Sequence, residues 1–165
     1  MSERRFTRLQ LSSGNTSWNI HCFRGNLAHA DLVAQSAEFL RQRFKDIRGL
    51  NSRPLIYRLG GKRANLRTAT TKSGDKYWFD VTPSLFEDRE VKFFIYVCGS
   101  PSCMYVFPTA DFTRLIFGAS SGGQKQVPNF TLYLDRHVFE PAGRADAAHD
   151  ITKYFNRFDL IAPSK

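Results

Sequence analysis

Apolar residues recur at helical spacing in the segment from Asn26 to Ile47. Positions three and four residues apart share one face of an α-helix, so this pattern predicts a single amphipathic helix. Asn26 is a suitable N-cap, Asp31 is an alternative start, and Gly49 is a suitable stop, with basic residues as far as Arg48 lining the last turns. The predicted apolar stripe consists of Val33, Ala37, Leu40, Phe44 and Ile47.

Strand patterns replace the helical one from Pro54 to Val81. The glycine pair Gly60–Gly61 and a later Ser-Gly-Asp sequence mark two turns, so three strands are predicted. The last strand is aromatic, and because side chains alternate across a sheet, at least two of Tyr77, Trp78 and Phe79 are expected in the core. We call this segment the basic ribbon. Its basic side chains are Arg58, Lys62, Arg63, Arg67, Lys72 and Lys76.

The rest of the chain alternates short helical and strand-forming segments. The run from Val91 to Val97 is almost continuously apolar, which is typical of a strand buried on both faces. The other predicted elements are a short helical connection at 85–90, a returning strand at 104–107, a helix entered at Pro108, a loop at 120–126, a strand at 129–134 and a closing helix at 145–161.

The predicted fold class is α+β, with a mixed, mostly antiparallel central sheet flanked by an N-terminal and a C-terminal helix. Residues 26–165 are expected to form one domain. Residues 1–25 are interpreted either as a basic arm that orders on nucleic acid or as two short edge strands.

Charge adds a functional indication. The 165 residues carry a formal net charge of +9, and the basic side chains cluster in the ribbon. Such a cluster favours a polyanionic partner: nucleic acid ahead of an acidic protein, and DNA ahead of RNA. No segment has the ~18 consecutive apolar residues of a membrane span, so no membrane partner is expected. The odd number of cysteines and the lack of a signal-peptide pattern predict a cytoplasmic protein, nucleoid-associated if it binds DNA, and leave a homodimer open.

Candidate catalytic chemistry rests on few carboxylates. Glu38 on the predicted helix and Asp80 at the end of the aromatic strand could together hold Mg²⁺ at a scissile phosphate, with Arg67 or Lys72 as a cationic helper. A solvated helix flank is the ordinary interpretation of Glu38. The cysteines at 98 and 103 flank a turn, but a zinc site needs about four ligands, so cysteines packed in a hairpin are favoured and a redox pair is left open.

The order of elements from Leu27 to Phe117 resembles the restriction-endonuclease-like PD-(D/E)XK fold. The shared pattern is a helix with a central Glu, a hairpin, a strand ending in N-L-R-T, an aromatic strand, an apolar strand and a strand ending in proline. The resemblance implies that Glu38 is the helix glutamate, that Asn65 occupies the acidic-or-Gln position and that Arg67 occupies the Lys position. The Asp expected on the preceding strand is absent from 55–59.

These departures bear on activity. Asn is a poor replacement for a metal-binding carboxylate, and Arg cannot lose a proton to act as a base. The resemblance therefore implies a degenerate nuclease core that keeps a DNA-binding surface. A basic ribbon followed by aromatic strands is also similar to the pseudobarrel DNA-recognition domains of some restriction enzymes.

Three functions stay open. The first is a nucleic-acid-binding domain, chiefly for double-stranded DNA, without cleavage. The second is a Mg²⁺-dependent endonuclease with displaced ligands, Glu38 and Asp80, and the third is a basic protein-interaction module. Single-stranded RNA is a further candidate ligand, because an aromatic residue of 77–79 could stack on a base. The predicted nucleic-acid contacts are Arg58, Lys62, Arg63, Asn65, Arg67, Lys72, Lys76 and Lys125.

Overall fold

A computed structural model describes residues 28–52, 54–71, 74–122 and 126–162. The helices are α1 His29–Arg43, α2 Ser84–Glu87 and α3 Thr109–Ile116. The strands are β1 Ile47–Ser52, β2 Leu55–Leu59, β3 Lys62–Ala69, β4 Lys76–Asp80, β5 Val91–Cys98, β6 Met104–Pro108, β7 Ser121–Gly122, β8 Val127–Tyr133, β9 Val138–Pro141 and β10 His149–Asp150.

The first sheet has the strand order β1-β2-β3-β5-β6. Its first three strands form an antiparallel meander, β5 runs parallel to β3, and β6 returns antiparallel to β5. Gly60 and Gly61 form the β2–β3 turn with φ of 53° and 80°, a backbone conformation that glycine adopts without steric cost. This turn confirms the predicted hairpin at the start of the basic ribbon.

The third strand of the basic ribbon, β4, belongs to the second sheet and does not pair with the second strand of the ribbon, β3. The order of the second sheet is β10-β9-β8-β4, with β7 paired to β8, so β4 pairs with β8 rather than with β3. Burial explains this arrangement, because Tyr77 and Phe79 on the inner face of β4 are almost completely buried. A second layer over the first sheet provides that burial, which a single sheet would not.

Two hydrophobic clusters lie on the two faces of the first sheet. The cluster between the sheets is aromatic and includes Phe94 and Tyr96 of β5 together with Phe112 of α3. The other cluster places Phe93 and Ile95 of the same strand against α1 and the C-terminal segment. The prediction that this strand is buried on both faces is therefore confirmed.

Helix α1 confirms the predicted amphipathic helix but is shorter. It begins at His29 after an N-cap at Ala28 without a side-chain capping bond, and it ends at Arg43. Asn26, the expected cap, lies outside the described residues, as does the whole arm at 1–25. Residues 47–52 form β1, a strand that the sequence pattern did not predict. Within the described part of the chain, no helix is long and apolar enough to cross a membrane.

The predicted C-terminal helix is wrong, although the α+β class holds. The segment forms β10 and three 3-10 turns instead. Asp150 accepts a hydrogen bond from the Thr152 backbone N–H, which offers the backbone an alternative to a helix. Asn156 has a φ of 52°. Its side-chain Nδ2 donates to the Ser102 carbonyl, and its side-chain Oδ1 accepts from the Met104 N–H. These bonds fasten the segment to the β5–β6 hairpin in a non-helical conformation.

Candidate functional site

Three arginines lie side by side on neighbouring strands of the first sheet. Arg48 of β1 is directly opposite Arg58 of β2, and Arg58 is directly opposite Arg63 of β3. Opposed residues share a face, and neighbouring strands are about 4.8 Å apart, so three guanidinium groups project from one face in a line. We call this set the arginine row. Arg48 and Arg58 are exposed, whereas Arg63 is half-buried.

The arginine row has little internal compensation. Like charges directly opposite each other destabilise a sheet. Among the ion pairs of the described residues, only the one between Arg63 and Asp88 involves the row, and its atoms are 4.0 Å apart. A bound polyanion would compensate the remaining charge, which makes the row a candidate binding surface.

Arg67 lies on the same face of β3 but has a different environment. Its guanidinium donates a hydrogen bond to the Asp80 carboxylate at the end of β4, and both side chains are largely buried, with 29% and 14% of their surface exposed. It is also opposite Tyr96 in the parallel β3–β5 register. Burial raises the pKa of Tyr96, and the positive charge of Arg67 opposes that rise. Arg67 is therefore neutralised within the protein, unlike the arginine row.

A cleft of about 450 Å³ opens beside this ion pair. The hydroxyl Oγ1 of Thr68 lies 3.4 Å from Nδ1 of His29, so the first residue of α1 meets the end of β3 there. The cleft combines a guanidinium, an imidazole and hydroxyl groups with an apolar floor. Its lining residues are His29, Ser52, Pro54, Leu55, Leu66, Arg67, Thr68 and Thr82.

The sequence suggested that Asn65 contacts nucleic acid, but its side chain is hydrogen-bonded within the protein. Its side chain is 1% exposed, and its amide Nδ2 donates a hydrogen bond to the Leu55 carbonyl at 2.8 Å. This bond joins β3 to the start of β2. Asn65 therefore does not present its amide to a ligand on the surface.

The predicted lysine contacts do not gather at one site. Lys62 is one residue before Arg63 in β3 and so projects from the opposite face, where its Nζ lies 5.5 Å from the centroid of the Phe93 ring. Lys76 lies in the second sheet, 5.7 Å from the Tyr133 ring centroid. Lys72 and Lys125 fall outside the described residues.

The structure does not bring Glu38 and Asp80 together. Glu38 is exposed on α1 and pairs with Arg41 at 3.1 Å. It lies nine residues along α1 from His29, which is about 13 Å at 1.5 Å per residue. It also lies on the face of the first sheet opposite the one that packs against β4. In the part of the chain that is described, no group of three or more His, Cys, Asp or Glu side chains could hold a metal ion.

The hairpin cysteines do not form a disulfide with each other. Cys98 is a free, buried thiol whose pKa burial raises well above its ordinary value. Its neighbours across the inter-sheet core are hydrophobic, as expected for a cysteine that packs as a small apolar side chain.

Arg48 is the main candidate that sequence reasoning missed. The helical pattern extended past Ile47 and assigned Arg48 to the last turn of the first helix. The arginine row exists only because three strands adopt one register, and a register across three strands is not visible in local periodicity. The dipeptide Arg53-Pro54, which disfavours a helix at that point, was the available signal that the preceding segment is extended.

Comparison of the chain with protein-family models, with curated proteins and with solved structures finds no match.

Proposed function

We propose that this protein binds nucleic acid, with double-stranded DNA as its principal ligand, and that it does so without cleaving it. The observation that carries this proposal is the arginine row. Three arginines on neighbouring strands, whose backbones are about 4.8 Å apart, form a line of positive charge that can contact phosphates. Arg is suited to this role because its planar fork donates two parallel hydrogen bonds to a phosphate.

The order of elements supports a PD-(D/E)XK-like core as the scaffold. The chain passes from α1 with Glu38 through the β2–β3 hairpin, the aromatic β4 and the apolar β5 to β6, which ends at Pro108. This is the order on which the resemblance rests. The parallel pairing of β3 with β5 leaves the meander at one side of the first sheet, where Arg48 of β1 and Arg58 of β2 are exposed.

The partners of the would-be catalytic groups favour binding over cleavage. Asn65 donates to a backbone carbonyl, Arg67 pairs with Asp80, and Glu38 pairs with Arg41. Metal-assisted hydrolysis needs carboxylates that converge on one ion next to the phosphate. Each of these groups instead serves a local contact.

Fluorescence anisotropy of a labelled blunt DNA duplex at several salt concentrations tests the proposal. Wild-type binding should weaken steeply with salt, because phosphate contacts release counterions. Arg58→Ala should weaken binding to all sequences alike and reduce the slope of log affinity against log salt by about one. Arg114→Ala is the matched control, because Arg114 is an exposed arginine on α3 that is already paired with Asp111. Salt-independent binding, or equal effects of the two variants, would contradict the proposal.

Cleavage is tested separately with supercoiled plasmid in Mg²⁺ or Mn²⁺. The proposal expects the plasmid to remain intact at protein concentrations that saturate binding. Nicking that disappears in Asp80→Ala would instead support the endonuclease. A partner complex that survives nuclease treatment would support the protein-interaction module.

A further inference from the structure

The second sheet presents one aromatic side chain to solvent. Along β4 the burial alternates, with Tyr77 and Phe79 in the core and Trp78 56% exposed on the outer face. Among the described strands, β4 pairs only with β8 and forms an edge of the sheet, so Trp78 has a neighbouring strand on one side. The residue opposite it on that strand is Thr131, whose side chain is small.

Two cations, Lys76 and Arg136, lie at the end of the sheet where β4 begins. Lys76 is two residues before Trp78, about 7 Å along the strand on the same face. Lys76 is directly opposite Tyr133, and the Arg136 guanidinium lies 4.3 Å from the centroid of that Tyr133 ring. The exposed face therefore combines an indole, a phenol ring, the Lys76 ammonium group and the Arg136 guanidinium, which is itself paired with Asp135.

Four carboxylates lie near this face, and one of them, Asp75, immediately precedes Lys76 and is half-buried. Asp80 is paired with Arg67, and Asp135 lies 3.8 Å from Arg136 at the end of β8. Glu140 is opposite Thr131 on β9, on the side of the sheet away from the β4 edge. On the outer face of β4, Lys76 is thus the exposed charge, whereas Asp80 is paired.

We propose that this face binds an unpaired nucleotide of a single-stranded nucleic acid, with the base stacked on Trp78 and an adjacent phosphate held by Lys76 and Arg136. An exposed aromatic ring beside cations is the combination that single-strand-binding surfaces use, because every base has a π-face and every linkage a phosphate. This inference rests on the proposed function and narrows it. The preferred substrate is a duplex on the arginine row that continues into an unpaired flank.

The Arg67–Asp80 pair connects the two surfaces. Arg67 shares the face of β3 that carries Arg63, and Asp80 shares the face of β4 that carries Trp78. Arg67 is four positions after Arg63, a distance of about 13 Å along the strand. The pair is thus a direct contact between the strand that carries Arg63 and the strand that carries Trp78.

The test compares three labelled ligands by fluorescence anisotropy: a ~12-nucleotide oligothymidylate, a blunt duplex and the same duplex with a single-stranded overhang. Wild type should bind the overhang duplex more tightly than the blunt one. Trp78→Ala should weaken binding of oligothymidylate and of the overhang duplex about tenfold, the loss expected for one stacked base, and leave blunt-duplex binding unchanged. Trp78→Phe should retain most of the affinity, because a ring remains.

Phe117→Ala is the matched control, because Phe117 is an aromatic residue that is 84% exposed at the end of α3. Equal effects of Trp78→Ala and Phe117→Ala on the oligothymidylate would overturn the inference, as would a similar loss of blunt-duplex affinity in Trp78→Ala. A third outcome would refute this inference and leave the proposed function standing. In it, the wild type binds the blunt duplex with a salt slope that depends on Arg58, but the overhang adds no affinity. Wild type that binds none of the three ligands refutes the proposed function as well.

Discussion

Two arginines on one face of the first sheet have different roles because their neighbours differ. Arg58 lies between two other arginines on an exposed face, whereas Arg67 lies on the same face of the sheet beside a carboxylate. The first can bind an external anion, and the second is already neutralised. Sequence alone placed both in one basic ribbon, because the partner of each arginine is determined by strands that are distant in the chain.

The position of Arg58 predicts that stability and binding change in opposite directions. Arg58→Gln removes the middle charge of the arginine row and should raise the free energy of unfolding by about 0.2–0.5 kcal/mol, because opposed like charges are relieved. Urea unfolding at low salt measures this change, and the gain should shrink as salt screens the row. Arg114→Gln, which breaks an exposed ion pair instead, should show no gain. A loss of stability in Arg58→Gln would mean that the row is compensated within the protein.

The Asp80 carboxylate compensates the positive charge of Arg67, so removing the charge of Asp80 should strengthen the binding of nucleic acid. Asp80→Asn keeps the size of the side chain and leaves Arg67 with a full positive charge near the two proposed binding surfaces. Affinity for the overhang duplex should rise, and the salt slope should steepen by about one. Asp159→Asn makes the same change of charge in the exposed pair with Arg157 and serves as the control. A weaker affinity in Asp80→Asn than in the control would show that Asp80 contributes directly to the ligand site.

At the scale of elements, local pattern predicted α1, the strands β2 to β6 and β8, but it did not predict β1, β7, β9 or β10, nor which strands pair. The apolar run of β5 and the alternation of β4 are properties of the residues themselves, so their burial followed from sequence. The pairing of β4 with β8 did not follow from sequence, because consecutive strands pair more often than distant ones, and the sequence therefore favoured a ribbon of consecutive hairpins. The prediction of a closing helix was wrong for a related reason. Asn156 adopts its left-handed conformation because its side chain is hydrogen-bonded to the β5–β6 hairpin, which is distant in the chain.

The side chain of Asn65 joins β3 to β2, so replacing it with a carboxylate should lower the stability of the fold. Asn65→Asp removes the donor to the Leu55 carbonyl and buries a charge beside it, so the free energy of unfolding should fall by about 1–3 kcal/mol or more. Urea unfolding with and without Mg²⁺ measures the effect. Glu38→Gln, on the exposed surface of α1, should change little. Recovery of stability in Asn65→Asp on addition of Mg²⁺ would indicate a metal site at this position.

At the scale of the whole molecule, the aromatic core contains groups that ionise in alkali. Burial raises the pKa of the Cys98 thiol above its ordinary 9.0 and the pKa values of Tyr96 and Tyr105 above their ordinary 10.0. A raised pKa in the folded state means that the unfolded chain loses these protons first. Stability from these groups is therefore complete below pH 9.0 and declines as pH rises through the folded-state values.

Urea unfolding between about pH 7 and pH 11 should show this decline beginning near the thiol's ordinary pKa. Cys98→Ala should remove the earliest part of the decline and leave the later part, which belongs to the buried phenols, including Tyr96, Tyr105 and Tyr154. Stability that is constant up to pH 11, or a decline that begins equally early in Cys98→Ala, would argue against a buried ionisable core.

The separation of β4 from its partner strand also determines the order in which parts of the molecule can form during synthesis. Strands β1 and β2 pair with their immediate successors in the chain, whereas β4 finds β8 only after β5, β6 and α3 have been made. Long-range pairing of this kind is slow compared with hairpin formation. A growing chain can therefore assemble the strands that carry Arg48, Arg58 and Arg63 while Tyr77 and Phe79 are still exposed. During this interval the nascent chain already carries its most basic surface but presents an unpaired aromatic strand, the stage at which it is most exposed to aggregation.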